Sequence, residues 1–331
     1  MRRAVGPIMT APELHCRRMV RFLPRWYRAD REEELVGALL DAREAGGGRL
    51  AEGRELLSML GLGLRARLAA GSAPARVVAF GDTVRLVALL GLLWGVLKGV
   101  LSLGHDLYDA LGFSRTSTLY AAPGSPVEAA MSLYAAQSAQ QIWHDIAVAV
   151  AAVVPLALLF AGRRRAARGV AGLVLIAGFA AFLYQYSFSF SPDLLGYFIP
   201  QWLPLLLMIA GFHIGAPLPS ARKWWLALSG VTASALYLGI FGGSDLRGLS
   251  WFVWVAVLVI PAYFAFRRRS PAWSFSLAAC CALVLAQSLV LKATMAAADF
   301  EALELAQVSL VSAGIVALIA AGIVDYRRTL S

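Results

Sequence analysis

Cysteine is scarce in this chain, and so are the motifs that usually reveal chemistry. The 331 residues include three cysteines: Cys16 in a charged segment, and Cys280 and Cys281 side by side in an apolar run. Without a CxxC pair, neither a disulfide framework nor a cysteine zinc site is expected. HExxH and nucleotide-binding motifs are also missing from the sequence. We therefore expect no catalytic residues, no metal and no cofactor, and we predict that the chain is not an enzyme.

Lysine is rare as well. Among the thirty basic residues only Lys98, Lys223 and Lys292 are lysine, and alanine, glycine and leucine abound. This bias is typical of a GC-rich bacterial genome, so the many arginines do not by themselves indicate nucleic-acid contacts. Residues 1–82 carry fourteen arginines and ten acidic residues, which are interleaved rather than gathered on one face. We expect no nucleic-acid partner.

Long apolar runs dominate what is present. Hydrophobic residues make up 59% of the chain, against about 45–50% in soluble domains. A helix needs about 20 apolar residues to cross a bilayer. The sequence predicts an all-α fold, a polytopic transmembrane helix bundle in residues 77–331 that follows a cytosolic part in residues 1–76. Eight spans are expected, near 86–104, 142–162, 169–188, 194–215, 224–242, 249–266, 272–291 and 306–324.

The loops between these spans predict the orientation. Basic residues of short loops concentrate on the cytoplasmic side of a membrane. With a cytoplasmic N-terminus, the inner loops and the C-terminal tail carry eleven basic residues: Arg163, Arg164, Arg165, Arg168, Arg222, Lys223, Arg267, Arg268, Arg269, Arg327 and Arg328. The outer loops carry three: Arg115, Arg247 and Lys292. We predict a multi-pass protein of the bacterial inner membrane with both termini inside; six or seven spans are the alternative.

The first predicted span carries a polar stripe. Its members recur at spacings of three and four residues, which places them on one helix face: Gly91, Gly95, Lys98, Ser102, His105 and Asp109. Gly91, Gly95 and Gly99 form a double GxxxG pattern that favours close helix packing, within one chain or between chains. The oligomeric state is left open by this pattern.

Lys98 has three interpretations. Its ammonium can reach the outer headgroups along the helix surface, a behaviour called snorkelling. It can pair with Asp145, since the first two spans run antiparallel. It can also serve a ligand or ion directly, because charges inside a membrane often mark functional sites. The sequence favours snorkelling, and it groups Lys98 with the neighbouring polar residues as a candidate polar cluster: Lys98, Ser102, His105, Asp109, His144 and Asp145. Zinc is the weakest reading of this cluster, since nothing fixes its geometry.

The charged N-terminal part predicts three short amphipathic helices. The first covers Pro12 to Leu23 with Thr10 as its cap, the second runs from Arg31 to Ala45 with Asp30 as its cap, and the third covers about 50–68. In the third, leucines recur at helical spacing: Leu56, Leu57, Leu60, Leu64 and Leu68. Such helices are expected to hide their apolar faces against one another and to form a small cytosolic module.

This module resembles a known family. The pattern consists of a leucine-proline pair, an aromatic-arginine pair, acidic residues, an apolar helix and a glycine break, filled here by Leu23, Pro24, Tyr27, Arg28, Glu33, Glu34, Leu35 and Leu39. It resembles the N-terminal module of HAAS-type membrane proteins of high-GC bacteria, over about 60 residues. The resemblance implies a signalling adaptor linked to PadR-like regulators, with Tyr27, Arg28, Glu33 and Glu34 as candidate partner-binding residues.

Two functions follow as expectations. The first is a regulatory or signalling membrane protein whose N-terminal module binds a cytosolic regulatory protein. The alternative is a transporter or permease subunit that uses the polar stripe of the first span. For the module itself, a membrane-surface anchor is the competing reading, since its arginines alternate with aromatic residues that suit anionic headgroups.

Overall fold

The fold is described by a computed structural model. The described residues are 10–44, 49–68, 73–110, 143, 146–188, 193–213, 215–241, 271–294 and 302–330. Every regular element among them is an α-helix, and no strand occurs in these ranges. The predicted all-helical class is confirmed for this part of the chain. The predicted span 249–266 lies outside it.

The helices are numbered in chain order. They are α1 (Ala11–Val20), α2 (Arg25–Glu44), α3 (Arg49–Arg67), α4 (Ala75–Ala110), α5 (Ile146–Phe160), α6 (Arg164–Phe188), α7 (Asp193–Gly211), α8 (Ala221–Phe241), α9 (Pro271–Thr294) and α10 (Ala302–Leu330). The chain divides into two compact units, Met1–Asp82 and Thr83–Ser331. The boundary falls within α4, six residues beyond the division predicted from the sequence.

The first unit has a hydrophobic core of its own, built by α1, α2 and α3. Seven side chains are buried in it: Cys16, Met19, Val20, Leu23, Val36, Leu39 and Met59. Tyr27, Leu35, Leu40 and Leu62 pack around them. Because these positions recur at three- and four-residue spacing, each helix presents one apolar face to the other two.

The starts of α1 and α2 show one correct prediction and one wrong one. Thr10 caps α1 as predicted, since its hydroxyl accepts a hydrogen bond from the Glu13 amide at 3.4 Å. Asp30 is not a cap, because α2 begins at Arg25. The carbonyl oxygen of Pro24 accepts a hydrogen bond from the amide of Arg28 at 3.0 Å. A proline suits this position, since the residues that open a helix need no amide partner.

The leucine stripe of α3 corrects a second expectation. Leu56, Leu57, Leu60 and Leu64 are exposed, with 69% of Leu57 accessible, whereas Leu68, the last leucine of the predicted stripe, is buried. The inward face of α3 consists instead of Met59, Leu62, Gly63 and Ala66. A Cβ on Gly63 would lie 3.1 Å from the carbonyl oxygen of Phe22, so the helix comes close to the backbone of the α1–α2 connection. Helical spacing located an apolar face but not the face that packs.

Cys16 provides a test of this core. Its side chain is 1% exposed, and burial raises the pKa of its thiol above the ordinary value. In a full-length chain with Cys280→Ala and Cys281→Ala, we expect iodoacetamide at pH 8 to alkylate Cys16 about a hundredfold more slowly than in urea, because the thiol must be uncovered and ionised to react. A matched chain carrying Cys16→Ala and His15→Cys presents an exposed thiol one residue away and should react without this protection. Equal rates at the two positions would contradict the packing of α1.

The second unit contains the helices that suit a membrane. Among the described residues, three helices are long and apolar enough to cross one: Ala75–Gly104, Arg164–Tyr184 and Val308–Arg328. Three shorter apolar helices accompany them in the described residues, at Ile146–Phe160, Gln201–Gly211 and Pro271–Gln287. Only 17% and 11% of the most apolar windows of α6 and α10 are buried inside the fold. Large outward apolar faces of this kind indicate contact with lipid.

Aromatic side chains join three helix termini at one end of this unit. Phe160 ends α5, Trp224 lies in the first turn of α8, and Trp273 lies in the first turn of α9. The Trp224 ring stacks on Trp273 at a centroid distance of 6.2 Å and on Phe160 at 6.2 Å, and Trp225 meets Phe160 edge-on at 5.6 Å. The end of α5 and the starts of α8 and α9 therefore lie at one level.

The turn between α5 and α6 holds α6 at the same end. Gly162 has a φ of +77°, a conformation that side-chain-bearing residues rarely adopt. The amide of Arg163 donates to the carbonyl of Leu158 at 2.9 Å, and that of Gly162 to Leu159 at 3.0 Å. This pattern is a Schellman helix end. The chain therefore reverses within a few residues, directly before the arginine cluster.

Candidate functional site

The glycines of α4 lie where this helix meets two neighbours. A Cβ on Gly99 would lie 2.9 Å from the amide nitrogen of Ala149, and one on Gly95 would lie 3.3 Å from the Cβ of Ala152. These contacts place α5 antiparallel to α4. A Cβ on Gly91 would lie 2.5 Å from the ring of Pro204 in α7. The double GxxxG pattern thus packs two different helices of the same chain, a choice that the sequence left open.

A cavity of about 380 Å³ lies beside these contacts, inside the second unit. Five of the described helices line it: α4, α5, α6, α7 and α9. Small or apolar side chains form most of the wall, including Gly95, Ala151, Ala177, Val174 and Leu205. Ligand sites commonly have volumes of about 300–1,000 Å³ and apolar walls with a few polar groups. The volume and the wall both fall within that description.

Three polar side chains from three helices converge on this cavity. Lys98 comes from α4, Gln201 from α7 and Gln287 from α9. The sequence predicts interhelical hydrogen bonds for the two glutamines, yet the Nε2 atom of Gln201 is buried with no hydrogen-bond partner among the described residues. A buried donor without a partner costs stability. An acceptor in the cavity could therefore form a hydrogen bond with the side-chain amide of Gln201.

Two tryptophans also belong to the wall of this cavity. Trp94 and Trp202 both line the cavity. The indole Nε1 of Trp202 would lie 2.9 Å from a Cβ on Gly178, so only a glycine on α6 admits the indole in this position. Phe182 holds the ring edge-on at 5.5 Å. By its position in the sequence, Trp202 suggests a membrane-interface anchor, and no local pattern connects it to Lys98.

Arg85 is a second buried polar group that sequence reasoning missed. Its side chain is 4% exposed, and its Nε donates to the carbonyl oxygen of Gly211 at 3.1 Å. Gly211 ends α7, where helix carbonyls lack partners within the helix and where positive charge is favourable. The Ser276 hydroxyl lies 3.1 Å from the carbonyl of Thr83, which ties α9 to the same level of α4.

The rest of the predicted polar cluster is only partly visible. Ser102 is half-buried on α4. His144 and Asp145 lie outside the described residues, as do the side chains of His105 and Asp109. Within the part of the chain that is described, no group of three or more potential metal-ligating side chains occurs. The pairing of Lys98 with Asp145 stays a prediction.

The first unit has a pocket of its own, of about 370 Å³, between α2 and α3. Tyr27 lies in its wall with Trp26, Asp30, Arg31 and Arg65. The rings of Trp26 and Tyr27 meet edge-on at 5.6 Å, and the Arg31 guanidinium lies 5.6 Å from the centre of the Tyr27 ring. The contact is of the cation–π type. Aromatic and arginine side chains of this kind are common anchors in protein interfaces.

The other predicted partner-binding residues have different surroundings. The carboxylate of Glu33 accepts hydrogen bonds from Nη1 and Nη2 of Arg17, at 2.9 and 3.1 Å. These bonds raise the pKa of Arg17, as does the hydrogen bond from Arg17 to Glu13. Glu34 is exposed. The Nε of Arg28 and the Nε1 of Trp26 are buried without hydrogen-bond partners in the described part. Glu33 thus already serves an ion pair within the module.

Comparison with known proteins adds no relative. No family model matches the chain, and no curated protein or solved structure matches it.

Proposed function

We propose that the chain is a multi-pass protein of the bacterial inner membrane, with eight spans and both termini in the cytoplasm. The contacts at one end of the second unit support this topology. The part of α4 around Thr83 and Arg85, the starts of α6, α8 and α9 and the ends of α5 and α7 lie at this end, as spans of alternating direction require. The basic residues Arg163, Arg164, Arg165, Arg222 and Lys223 belong to this same end, which is the side predicted to be cytoplasmic.

The proposed role is regulation through a cytosolic protein bound by the module of α1, α2 and α3. One observation carries it: the module has its own core, yet it keeps a pocket lined by Tyr27, Trp26 and Arg31, and the buried Nε1 of Trp26 has no hydrogen-bond partner among the described residues. An anchor alone needs no pocket of this kind. The likeness to HAAS-type modules agrees with the proposal, and it stays a resemblance.

The test exchanges the sign of one charge inside the pocket and of one outside it. Arg31 and Arg18 are both exposed arginines, but only Arg31 lines the pocket. We expect the wild-type full-length chain, captured in mild detergent from its own cells, to retain one stoichiometric soluble protein. Arg31→Glu should reduce the retained amount about tenfold or more, since interface anchors contribute about 2 kcal/mol or more. Arg18→Glu should leave it nearly unchanged.

Equal losses for both charge reversals would contradict a pocket-based interface. They would favour general attraction of the arginines to anionic lipid, because that attraction depends on the number of charges near the surface. Vesicles that contain anionic lipid and release the module at high salt would support the same anchor reading.

Transport is the second candidate, and the cavity of the bundle favours it. A cavity that gathers Lys98, Gln201 and Gln287 can hold a solute at the level of the membrane-spanning helices. Transporters place their substrate sites in such positions. Under this reading, a chain without residues 1–76 should retain its activity in cells. Under the regulatory reading, the deletion should abolish it.

A further inference from the structure

We propose that the cavity of the second unit binds an uncharged, mostly apolar molecule that carries a hydrogen-bond-accepting oxygen, such as a ketone or an ester. The combination of an apolar wall with the buried side-chain amide of Gln201 carries this inference. It goes beyond the proposed function and holds whether the bundle transports the molecule or responds to it.

The acceptor on the ligand follows from Gln201. The Nε2 atom of this residue is buried at the wall and has no hydrogen-bond partner among the described residues. A buried donor without an acceptor costs stability, and a ligand that supplies the acceptor removes this cost. A carbonyl oxygen has two lone pairs that accept such a bond. The contact between Pro204 and Gly91 holds this part of α7 against α4, so the donor is already in place before a ligand binds.

The wall gives no reason for a charge on the ligand. Lys98 is the one charged side chain among the described lining residues, and it already has an interaction partner within the chain. None of the described lining residues is acidic. Moving an ion into apolar surroundings is costly unless it finds an opposite charge there. An uncharged molecule avoids this cost.

The size and the apolar body of the ligand follow from the cavity itself. With about 30 Å³ for each water-sized group, 380 Å³ holds up to about a dozen non-hydrogen atoms. Side chains such as Val148, Val174 and Leu205 form the wall, and apolar surface gains free energy when it leaves water for surroundings of this kind. A straight-chain ketone of about eight carbons meets both conditions.

Trp94 and Trp202 make the binding measurable, because both rings line the cavity. Bromine quenches tryptophan fluorescence only at short range. The full-length protein is placed in nanodiscs of ether-linked phosphatidylcholine, whose chains carry no carbonyl group, and is titrated with 8-bromo-2-octanone. Simple partitioning into lipid gives quenching that does not saturate. A saturable component that disappears in the Trp94→Phe, Trp202→Phe double variant reports the cavity.

Two further probes test the class of the ligand. The first, 1-bromo-7-methyloctane, has the shape of the ketone with a methyl group in place of the oxygen, and the second, 8-bromooctanoate, carries a negative charge. Each affinity is expressed relative to the concentration of the probe dissolved in the lipid, so that partitioning cancels. We expect the ketone to bind at least about fivefold more tightly than its methyl analogue, the usual net contribution of one hydrogen bond between uncharged groups. The carboxylate should bind no more tightly than the ketone.

Gln201→Met should abolish the preference for the ketone, because methionine keeps a side chain of similar length but offers no donor. Leu205→Met is the matched control. It alters the same wall one turn further along α7 without removing a donor, so it should shift the affinities of the ketone and its methyl analogue together. Because the readout is a ratio of two affinities in one variant, it is independent of the yield of folded protein.

The source of the acceptor is separated in a second set of nanodiscs, made of ester-linked phosphatidylcholine. If the ketone binds more weakly there, the ester carbonyls of the lipid compete for the site, and a lipid is its ligand. If the affinity is unchanged, the ligand is a free molecule. Both outcomes support a site for an uncharged acceptor.

Three results would overturn the proposal: equal affinities for the ketone and its methyl analogue, a preference for the ketone that survives Gln201→Met, or a carboxylate that binds about tenfold more tightly than the ketone. The absence of any saturable quenching would overturn it as well. None of these readouts involves the cytosolic partner, so failure here is distinct from failure of the proposed regulatory role.

Discussion

Gly99→Ala is expected to lower the free energy of unfolding of the bundle by about 1–3 kcal/mol, the usual cost of forcing extra volume into a packed interior. The added methyl group would lie 2.9 Å from the amide nitrogen of Ala149 and 3.0 Å from its Cα. Both atoms belong to the backbone of α5, which cannot turn aside as a side chain can. The two helices must move apart, and the walls of the neighbouring cavity move with them.

Gly172→Ala on α6 is the matched control. A Cβ at Gly172 meets nothing within 4 Å. The same substitution should therefore leave stability unchanged or raise it slightly, since alanine is the better helix former. Thermal unfolding of both variants in the same detergent measures the difference. Equal midpoints for Gly99→Ala and Gly172→Ala would show that α4 and α5 are not in close contact.

Arg85→Leu is the second substitution with a large expected effect, about 2–3 kcal/mol of lost stability. It removes the hydrogen bond to the Gly211 carbonyl and leaves that oxygen buried at the end of α7. It also removes a positive charge that favours the negative end of the helix. Arg85→Lys keeps the charge but not the Nε donor, so its stability should fall between those of the wild type and the leucine variant.

Arg222→Leu separates this effect from a general loss of charge. Arg222 is exposed in the first turn of α8, and a substitution there should change stability by less than about 0.5 kcal/mol. Thermal unfolding in detergent again provides the comparison. If both leucine variants unfold at the wild-type temperature, Arg85 does not join α4 to α7.

Hydropathy located the described helices of the second unit, but it did not predict which of these helices pack against one another. Apolar runs are long because the thickness of a bilayer fixes them, so α6 and α10 follow from hydropathy alone. Which faces meet depends on contacts between distant segments. The glycines at 91, 95 and 99 predicted close packing, but only the fold shows that Gly91 faces Pro204 while Gly99 faces Ala149.

The candidate site shows the same limit. Lys98 was recognised because a lysine in an apolar run is unusual, whereas Gln201 and Gln287 are ordinary in membrane helices and lie far apart in the chain. Their convergence at one cavity has no local signal. The burial of Arg85 could not be predicted, because an arginine at the edge of an apolar run is usually expected at the membrane interface. Its position 126 residues from Gly211 hides the pairing.

The module gave two instructive errors. The first helix is predicted to extend to Leu23, yet α1 ends at Val20, and Pro24 directly precedes α2, where a helix start needs no amide from it. The leucines of α3 were read as a packing face, yet Leu57 and Leu64 are exposed and Met59 is buried. Periodicity marks the apolar side of a helix, but it does not decide which side packs. The packed side of α3 carries Gly63, which allows close approach, and Met59, whose flexible side chain fills irregular gaps.

The measurement that tests the account most directly compares two captures from the same cells, one with the full-length chain and one with a chain that lacks residues 1–76. The account predicts one soluble protein in stoichiometric amount with the full-length chain, its absence with the shortened chain, and loss of the cellular activity in the shortened chain. The same set of captured proteins in both samples, with activity intact in the shortened chain, would contradict a regulatory role for the module and would leave the cavity of the bundle as the functional centre.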